Sequence, residues 1–215
     1  MKGLIAKEGV VYSIIPLLLG VVFLFLNFRI TGIILVLVMF LVALFFRYPD
    51  RAVNDADGNI YAPADGRIVC IREEFEDVFC KCAVKRVSIF MNVFNVHINY
   101  SPINGEVELV QYRPGKFIDA GKITEQENNE YNFVGISDGT AKIGVRQVAG
   151  LIARRIVCNC KKCDKLETGK RFGLIKFGSR VDVFFPKEYF VNVAMGEKVR
   201  AGRTVIAKKV EKLKS

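Results

Sequence analysis

Hydrophobic and polar positions divide this chain into two unlike parts. Across residues 10–46 the side chains are almost all apolar, and only Asn27, Arg29 and Thr31 break the run near its middle. A bilayer core of roughly 30 Å takes about 20 apolar residues per helix, with about 17 as the lower limit. Residues 10–26 and 30–46 each meet that limit, so the pattern predicts a helical hairpin. Asn27-Phe28-Arg29 then falls at the far interface, because a charge at mid-membrane is costly. Lys2 and Lys7 precede the first arm, and Arg47 and Arg51 follow the second. Positive charge at both ends places both in the cytoplasm. Pro16 predicts a kink in the first arm. Residues 1–46 therefore read as a membrane anchor of two short transmembrane helices. The alternatives are a buried helix pair in a soluble domain and a shallow hairpin that does not cross.

Beyond the anchor the period changes to that of strands. Val87, Ile89 and Met91 alternate in one run, and Val96, Ile98 and Tyr100 in another, with a bend over 92–95 between them. This alternation puts His97 on the face opposite Val96 and Ile98. Pro63 and the Asp65-Gly66 dipeptide mark turns, after which 67–71 reads as a strand. Residues 172–177 alternate again, Gly178-Ser179 interrupts them, and Val181-Asp182-Val183-Phe184 resumes the alternation. The stretch VAMGEKVRAGRTVIAKKV (193–210) predicts turn, short strand, turn and last strand, followed by a basic tail.

Charge narrows the partners. The chain carries 32 Lys+Arg against 22 Asp+Glu, a formal net charge of +10. No zinc-finger, RNA-recognition or basic-zipper pattern accompanies the excess, which argues against nucleic acid. Beside a membrane segment such charge faces anionic headgroups. The six cysteines (Cys70, Cys80, Cys82, Cys158, Cys160, Cys163) read as reduced thiols of a cytosol-facing domain. Cys158-x-Cys160-x-x-Cys163 is too compact for paired zinc knuckles, and no metal is expected.

Three positions are candidates for chemistry. A Gly-Ser pair between apolar runs by itself marks a tight turn. The sharper reading is that Ser179 attacks the carbonyl of Gly178, which glycine leaves unshielded. Asp65 reads first as a turn former. His97 is the chain's single histidine, so a general base near neutral pH has no other obvious candidate.

The stretch RFGLIKFGSRVD (171–182) resembles the self-cleaving segment of the short-form phosphatidylserine decarboxylases, which carry a Gly-Ser pair followed by Arg-Val-Asp. Further blocks occur in that family's order: FFRYPDR at 45–51, PADG at 63–66, FNVHINYSPINGEV at 94–107, YRPGKFIDA at 112–120 and IGVRQVAGLIARRIV at 143–157. Tyr48 and the displaced Asp50 depart from the family's Phe-Arg-Asp-Pro, and Asn92 stands where Ser or Cys is common. PADG and Gly196-x-x-Val199-x-x-Gly202 are also similar to the hairpins of biotinyl and lipoyl domains. The resemblance implies a mainly β (α+β) domain over 47–215 with barrel-sandwich-hybrid-like hairpins, preceded by the transmembrane helical hairpin.

It implies a mechanism as well. Asp65 orients and charges His97, His97 takes the Ser179 hydroxyl proton, and the alkoxide attacks Gly178 to form an ester. β-Elimination and loss of ammonia then leave a pyruvoyl group, the cofactor, at the head of a small chain that stays with the large one. The matured proenzyme would decarboxylate phosphatidylserine to phosphatidylethanolamine through a Schiff base. Lys176, Arg180, Arg47 and Arg51 are the candidates to meet the lipid phosphate. Archaetidylserine, with the same headgroup, is the alternative substrate. A lipoyl- or biotinyl-like binding module and a cysteine-based metal protein are alternatives of another class. The expected partners are the phospholipid in the membrane and the chain's own small fragment, with a homodimer left open and no nucleic acid. The expected location is the cell membrane, with the domain on its cytoplasmic face.

Overall fold

The computed structural model describes residues 5–51, 53, 58–116, 129–150, 155–176 and 179–209. Two compact units emerge, Met1–Asp50 and Arg51–Ser215. In the first, helices α1 (Lys7–Phe25) and α2 (Arg29–Phe45) form a hairpin, and both begin and end slightly earlier than the apolar pattern predicts. Asn27 in the connection has a left-handed backbone, φ 62°, which asparagine tolerates better than most residues. Gly20 and Gly32 meet where the helices pack: a Cβ on Gly32 would lie 3.0 Å from the Gly20 carbonyl oxygen. Small residues let apolar helices approach this closely. At the open end the Phe46 carbonyl accepts the Ala6 N–H at 2.8 Å, and the Phe46 ring stacks on Tyr12. Helix α1, with 19 residues, is long and apolar enough to cross a membrane, whereas α2 has 17.

The second unit is built from strands. In chain order they are β1 (Ile60–Tyr61), β2 (Gly66–Glu76), β3 (Cys82–Met91), β4 (Ile98–Tyr100), β5 (Gly105–Arg113), β6 (Tyr131–Ser137) and β7 (Lys142–Ala149). They continue with β8 (Ile156–Cys158), β9 (Lys165–Leu166), β10 (Arg171–Ile175), β11 (Ser179–Pro186), β12 (Tyr189–Val191), β13 (Lys198–Val199) and β14 (Val205–Lys209). A curled eight-stranded antiparallel sheet runs β13-β2-β3-β11-β7-β6-β5-β9, beside two three-stranded sheets, β4-β10-β8 and β1-β14-β12. The mainly β expectation holds.

Details of the pattern differ. The strand expected over 67–71 continues to Glu76 because β3 pairs with it along its whole length. The run expected over 172–177 is β10, ending at Ile175, and Phe177 and Gly178 lie outside the described residues. Around His97 the expected alternation gives no exposed face: Val96, His97 and Ile98 are all buried. One reason is that β4 is held on both sides, by β10 and by the bond from Tyr100 N–H to the Pro63 carbonyl.

Strand β11 lies in the middle of the large sheet, paired with β3 from Ser179–Met91 to Pro186–Val84 and with β7 from Ser179–Ala149 to Phe184–Gly144. Its β-branched and aromatic residues suit such a doubly covered strand. Val181, Val183 and Phe185 enter the large core with Ile68, Ile89, Val145 and Ile206. Arg180, Asp182 and Phe184 face the other side. There Asp182, fully buried, accepts from Arg146 Nε and Nη2 at 3.0 and 2.9 Å and from Arg180 Nη2 at 3.1 Å. Burial alone would raise its pKa. The guanidiniums of Arg180, Arg146 and Arg86 and the Ser88 hydroxyl outweigh that and hold the carboxyl well below the usual carboxylate range.

A depressed folded-state pKa contributes stability that is complete above the unfolded value of about 3.9 and lost as pH falls through the folded value. Asp182→Asn strips a buried cluster of its anion, a loss of about 3–5 kcal/mol. In a domain of this size that corresponds to a melting temperature lower by about 6–20 °C. Thermal melts at pH 7 should show the full gap between wild type and variant, and melts below about pH 4 a shrinking one.

Candidate active site

Ser179 opens β11 and is fully buried, and its hydroxyl donates toward Met91 Sδ at 3.5 Å. A chain of buried amides runs behind it. Asn132 Nδ2 donates to Gln147 Oε1 at 3.0 Å, Gln147 Nε2 donates to Asn99 Oδ1 at 2.7 Å, and Asn99 Nδ2 reaches the same Met91 sulfur at 3.9 Å. Gln147 lies in β7 opposite Val181, and Asn99 lies in β4 opposite Gly173. A Cβ on Gly173 would sit 2.8 Å from Gln147 Nε2 and 2.4 Å from the Val157 carbonyl oxygen, so glycine is needed there. These amides were not singled out by sequence reasoning, and their mutual contacts depend on register between distant strands.

His97, 1% exposed, precedes β4, and its own carbonyl accepts the Ile175 N–H at 3.1 Å. Its Nδ1 lies 3.0 Å from the Asn95 carbonyl oxygen. A carbonyl only accepts, so this bond assigns the proton of the neutral ring to Nδ1 and the basic lone pair to Nε2. The chain reaches His97 from Met91, the β3 partner of Ser179, through the turn at 92–95. Serine and histidine are thus carried on segments that converge at one end of the sheet.

Asp65 is also buried, and both of its oxygens are engaged. Oδ2 accepts from Arg51 Nη2 at 2.9 Å, and Oδ1 from the Ala201 N–H at 2.8 Å. The same arrangement needs Gly202, where φ is 63° and a Cβ would lie 2.5 Å from the Arg51 carbonyl oxygen. Asp65, Arg67, Asn92, Phe94, Asn95, Lys198 and Arg200 are among the residues around a cavity of about 800 Å³. Asp65 and the turn leading into His97 therefore share one cavity.

The four expected phosphate ligands have different partners. Arg180 lies on the sheet face opposite Ser179, ion-paired to Asp182. Arg51 is committed to Asp65. Arg47 belongs to the helical unit and donates to the Leu44 carbonyl at 2.8 Å. Lys176 directly follows β10, its N–H bonded to the Arg155 carbonyl at 3.2 Å. Arg67, Lys198 and Arg200 border the cavity. Lys198 and Arg67 are cross-strand partners, a proximity hidden by their distance in the sequence.

Among the described residues no cluster of His, Cys, Asp and Glu has the geometry to hold a metal ion. Cys158 and Cys160 lie with their sulfurs 3.5 Å apart. The hydrogen bond from the Cys160 thiol, helped by Asn132, lowers Cys158 to about 7 despite burial, and Cys160 is pushed upward.

The family model described as phosphatidylserine decarboxylase matches residues 39–207. A phosphatidylserine decarboxylase proenzyme of Solidesulfovibrio magneticus is 48% identical over 168 residues, 78% of each chain. Proteins of the same name from Magnetococcus marinus and Symbiobacterium thermophilum are 42% and 43% identical and cover 94% and 96% of each chain. Similarity of this extent assigns the chain to the decarboxylases, enzymes of the lyase class. It belongs to the phosphatidylserine decarboxylase family.

Gln147→Leu would leave Asn99 Oδ1 and Asn132 Nδ2 without their shared partner, at about 1–3 kcal/mol for each buried group. The melting temperature should fall by several degrees, at about 2–4 °C per kcal/mol. Cys158 should be alkylated by iodoacetamide to half its limiting rate near pH 7, ahead of Cys160, as read by peptide mass spectrometry.

Proposed function

We propose that this chain is a membrane-anchored proenzyme that cuts itself between Gly178 and Ser179, acquires a pyruvoyl group from Ser179 and decarboxylates phosphatidylserine to phosphatidylethanolamine. Residues 1–46 are the anchor and 47–215 the catalytic domain, with barrel-sandwich-hybrid-like hairpins and its site on the cytoplasmic face. Relatives similar along most of the chain are phosphatidylserine decarboxylase proenzymes, which supports phosphatidylserine as the substrate. The observation that carries the reading is the position of Ser179, buried at the head of a strand paired on both edges.

Maturation uses the chain's own groups. His97 takes the Ser179 proton through Nε2, Oγ bonds to the Gly178 carbonyl carbon, and the proton passes to the Ser179 nitrogen as it leaves, so an ester replaces the amide. The negative charge of Asp65 on the cavity wall supports the imidazolium. Loss of the Ser179 α-proton then expels the Gly178 carboxylate, and hydrolysis of the resulting enamine releases ammonia. Strand β11 suits a chain break at its first residue, because the ladders to β3 and β7 continue to hold the small fragment.

The residues present fit a pyruvoyl group at this place. Ser179 is buried, and Asp65 borders a cavity together with the turn that leads into His97. Such a group supplies an electron sink that no side chain offers. Lys198, Arg67 and Arg200 bind the lipid phosphate at the cavity, while burial of the Ser179 position excludes water from the reacting carbon. Arg51 holds Asp65 in its place. His97 supplies or removes protons at Nε2.

An intact-mass spectrum of the purified full chain tests the reading. Two fragments are expected, split at Gly178/Ser179, with the smaller blocked at its N-terminus, whereas Ser179→Ala and His97→Ala stay full length. A wild-type chain that remains whole with an unmodified Ser179 overturns it. Phosphatidylserine presented in vesicles should release CO2 only with the cleaved protein.

A further inference from the structure

We infer that the turn bearing Val93 and Phe94, together with Met195, forms a second membrane contact that seats the mouth of the Asp65 cavity against an anionic lipid surface. The inference rests on the decarboxylase reading only for the identity of the lipid that enters. Phe94 is 77% exposed and Met195 60%, and Val93 is exposed beside them. Hydrogen bonds brace the first turn. Asn92 Oδ1 accepts the Phe94 N–H, Asn95 Oδ1 accepts the Asn92 N–H, both at 2.9 Å, and the Asn95 N–H bonds back to the Asn92 carbonyl at 3.0 Å. An aromatic side chain is therefore presented outward on a braced loop.

The second turn lies at the same end of the sheet. Arg67 pairs with Phe90 on one side and Lys198 on the other, and its Nη1 donates to the Gly196 carbonyl at 3.0 Å. Arg67 thus stands between the two apolar tips. Arg67, Lys198, Arg200 and Phe94 all border the cavity that contains Asp65. The nearby acids are committed: Asp65 to Arg51 and Ala201, and Glu197 to the Ala194 N–H of its own turn at 2.9 Å. Apolar tips set among cations are the composition that settles at the boundary between headgroups and acyl chains. Lys and Arg beside them are drawn to anionic lipid, with their stems along the apolar surface. A lipid could then pass from bilayer to cavity with its headgroup meeting Arg67, Lys198 and Arg200 and its acyl chains resting on Phe94 and Met195.

The chain contains no tryptophan, so Phe94→Trp gives a single fluorophore. The full chain is reconstituted into vesicles of equimolar phosphatidylcholine and phosphatidylglycerol, with brominated or ordinary acyl chains. Phe94→Trp emission should fall by roughly half with brominated lipid, and Lys198→Gln with Arg200→Gln in the same background should weaken that quenching. Phe75→Trp is the control. Phe75 is 67% exposed but lies about 26 Å from Arg67 along β2, and its emission should not respond. Equal quenching at both positions, or none at either, overturns the inference. Phe94→Asp should slow turnover of phosphatidylserine in bilayers several-fold more than turnover of a short-chain, monomeric phosphatidylserine, and an equal loss on both also overturns it. An unsubstituted chain inactive on both lipids, with Phe94→Trp still quenched, sinks the decarboxylase reading and leaves the contact standing.

Discussion

Strand β11 is hydrogen-bonded along both edges from its first residue, and the rest of the domain is arranged around that constraint. A segment paired on one side can peel away, whereas one held between β3 and β7 cannot move without opening two ladders. Ser179 therefore has a fixed position although it begins an element. The two faces of the strand secure it differently. Val181, Val183 and Phe185 are held by non-directional apolar burial. Asp182, among Arg86, Arg146 and Arg180, adds a directional bond that resists a slip of one residue, because a slip would turn a buried carboxylate into the apolar core.

Much of this was legible in the sequence. The apolar block yields two helices, and the period-two runs at Val87–Met91 and Val181–Phe184 fall inside β3 and β11. These signals are local, each read from a few neighbouring residues. Asp65, His97 and Ser179 stood out by residue type and by their order in family-like blocks. Their neighbours did not. Gln147 meets Asn99, and Lys198 meets Arg67, only through strand register across large sequence separations. No composition or spacing rule encodes such register. The strand period does set Arg180 on the face away from Ser179, since adjacent residues of a strand point oppositely.

Asp65 shows how the two halves of the site depend on each other. Its carboxylate is oriented by Arg51, from the entrance to the domain, and by the Ala201 N–H, from the connection between β13 and β14. Gly202 allows that connection to lie against the Arg51 backbone, because any side chain there would collide with it and its positive φ disfavours other residues. A cut before Ser179 would put Ala201 and Gly202 on the small fragment and Asp65, Arg51 and His97 on the large one. The acid would then be held in place by a chain to which it is no longer covalently joined. If the chain is cut there, retention of the small fragment would for that reason be a requirement of the site's electrostatics as well as of the fold. The pairing of β11, β13 and β14 with β3, β7, β2 and β1, together with the apolar burial of Val181, Val183 and Phe185 and the Arg146–Asp182 ion pair, would supply that retention.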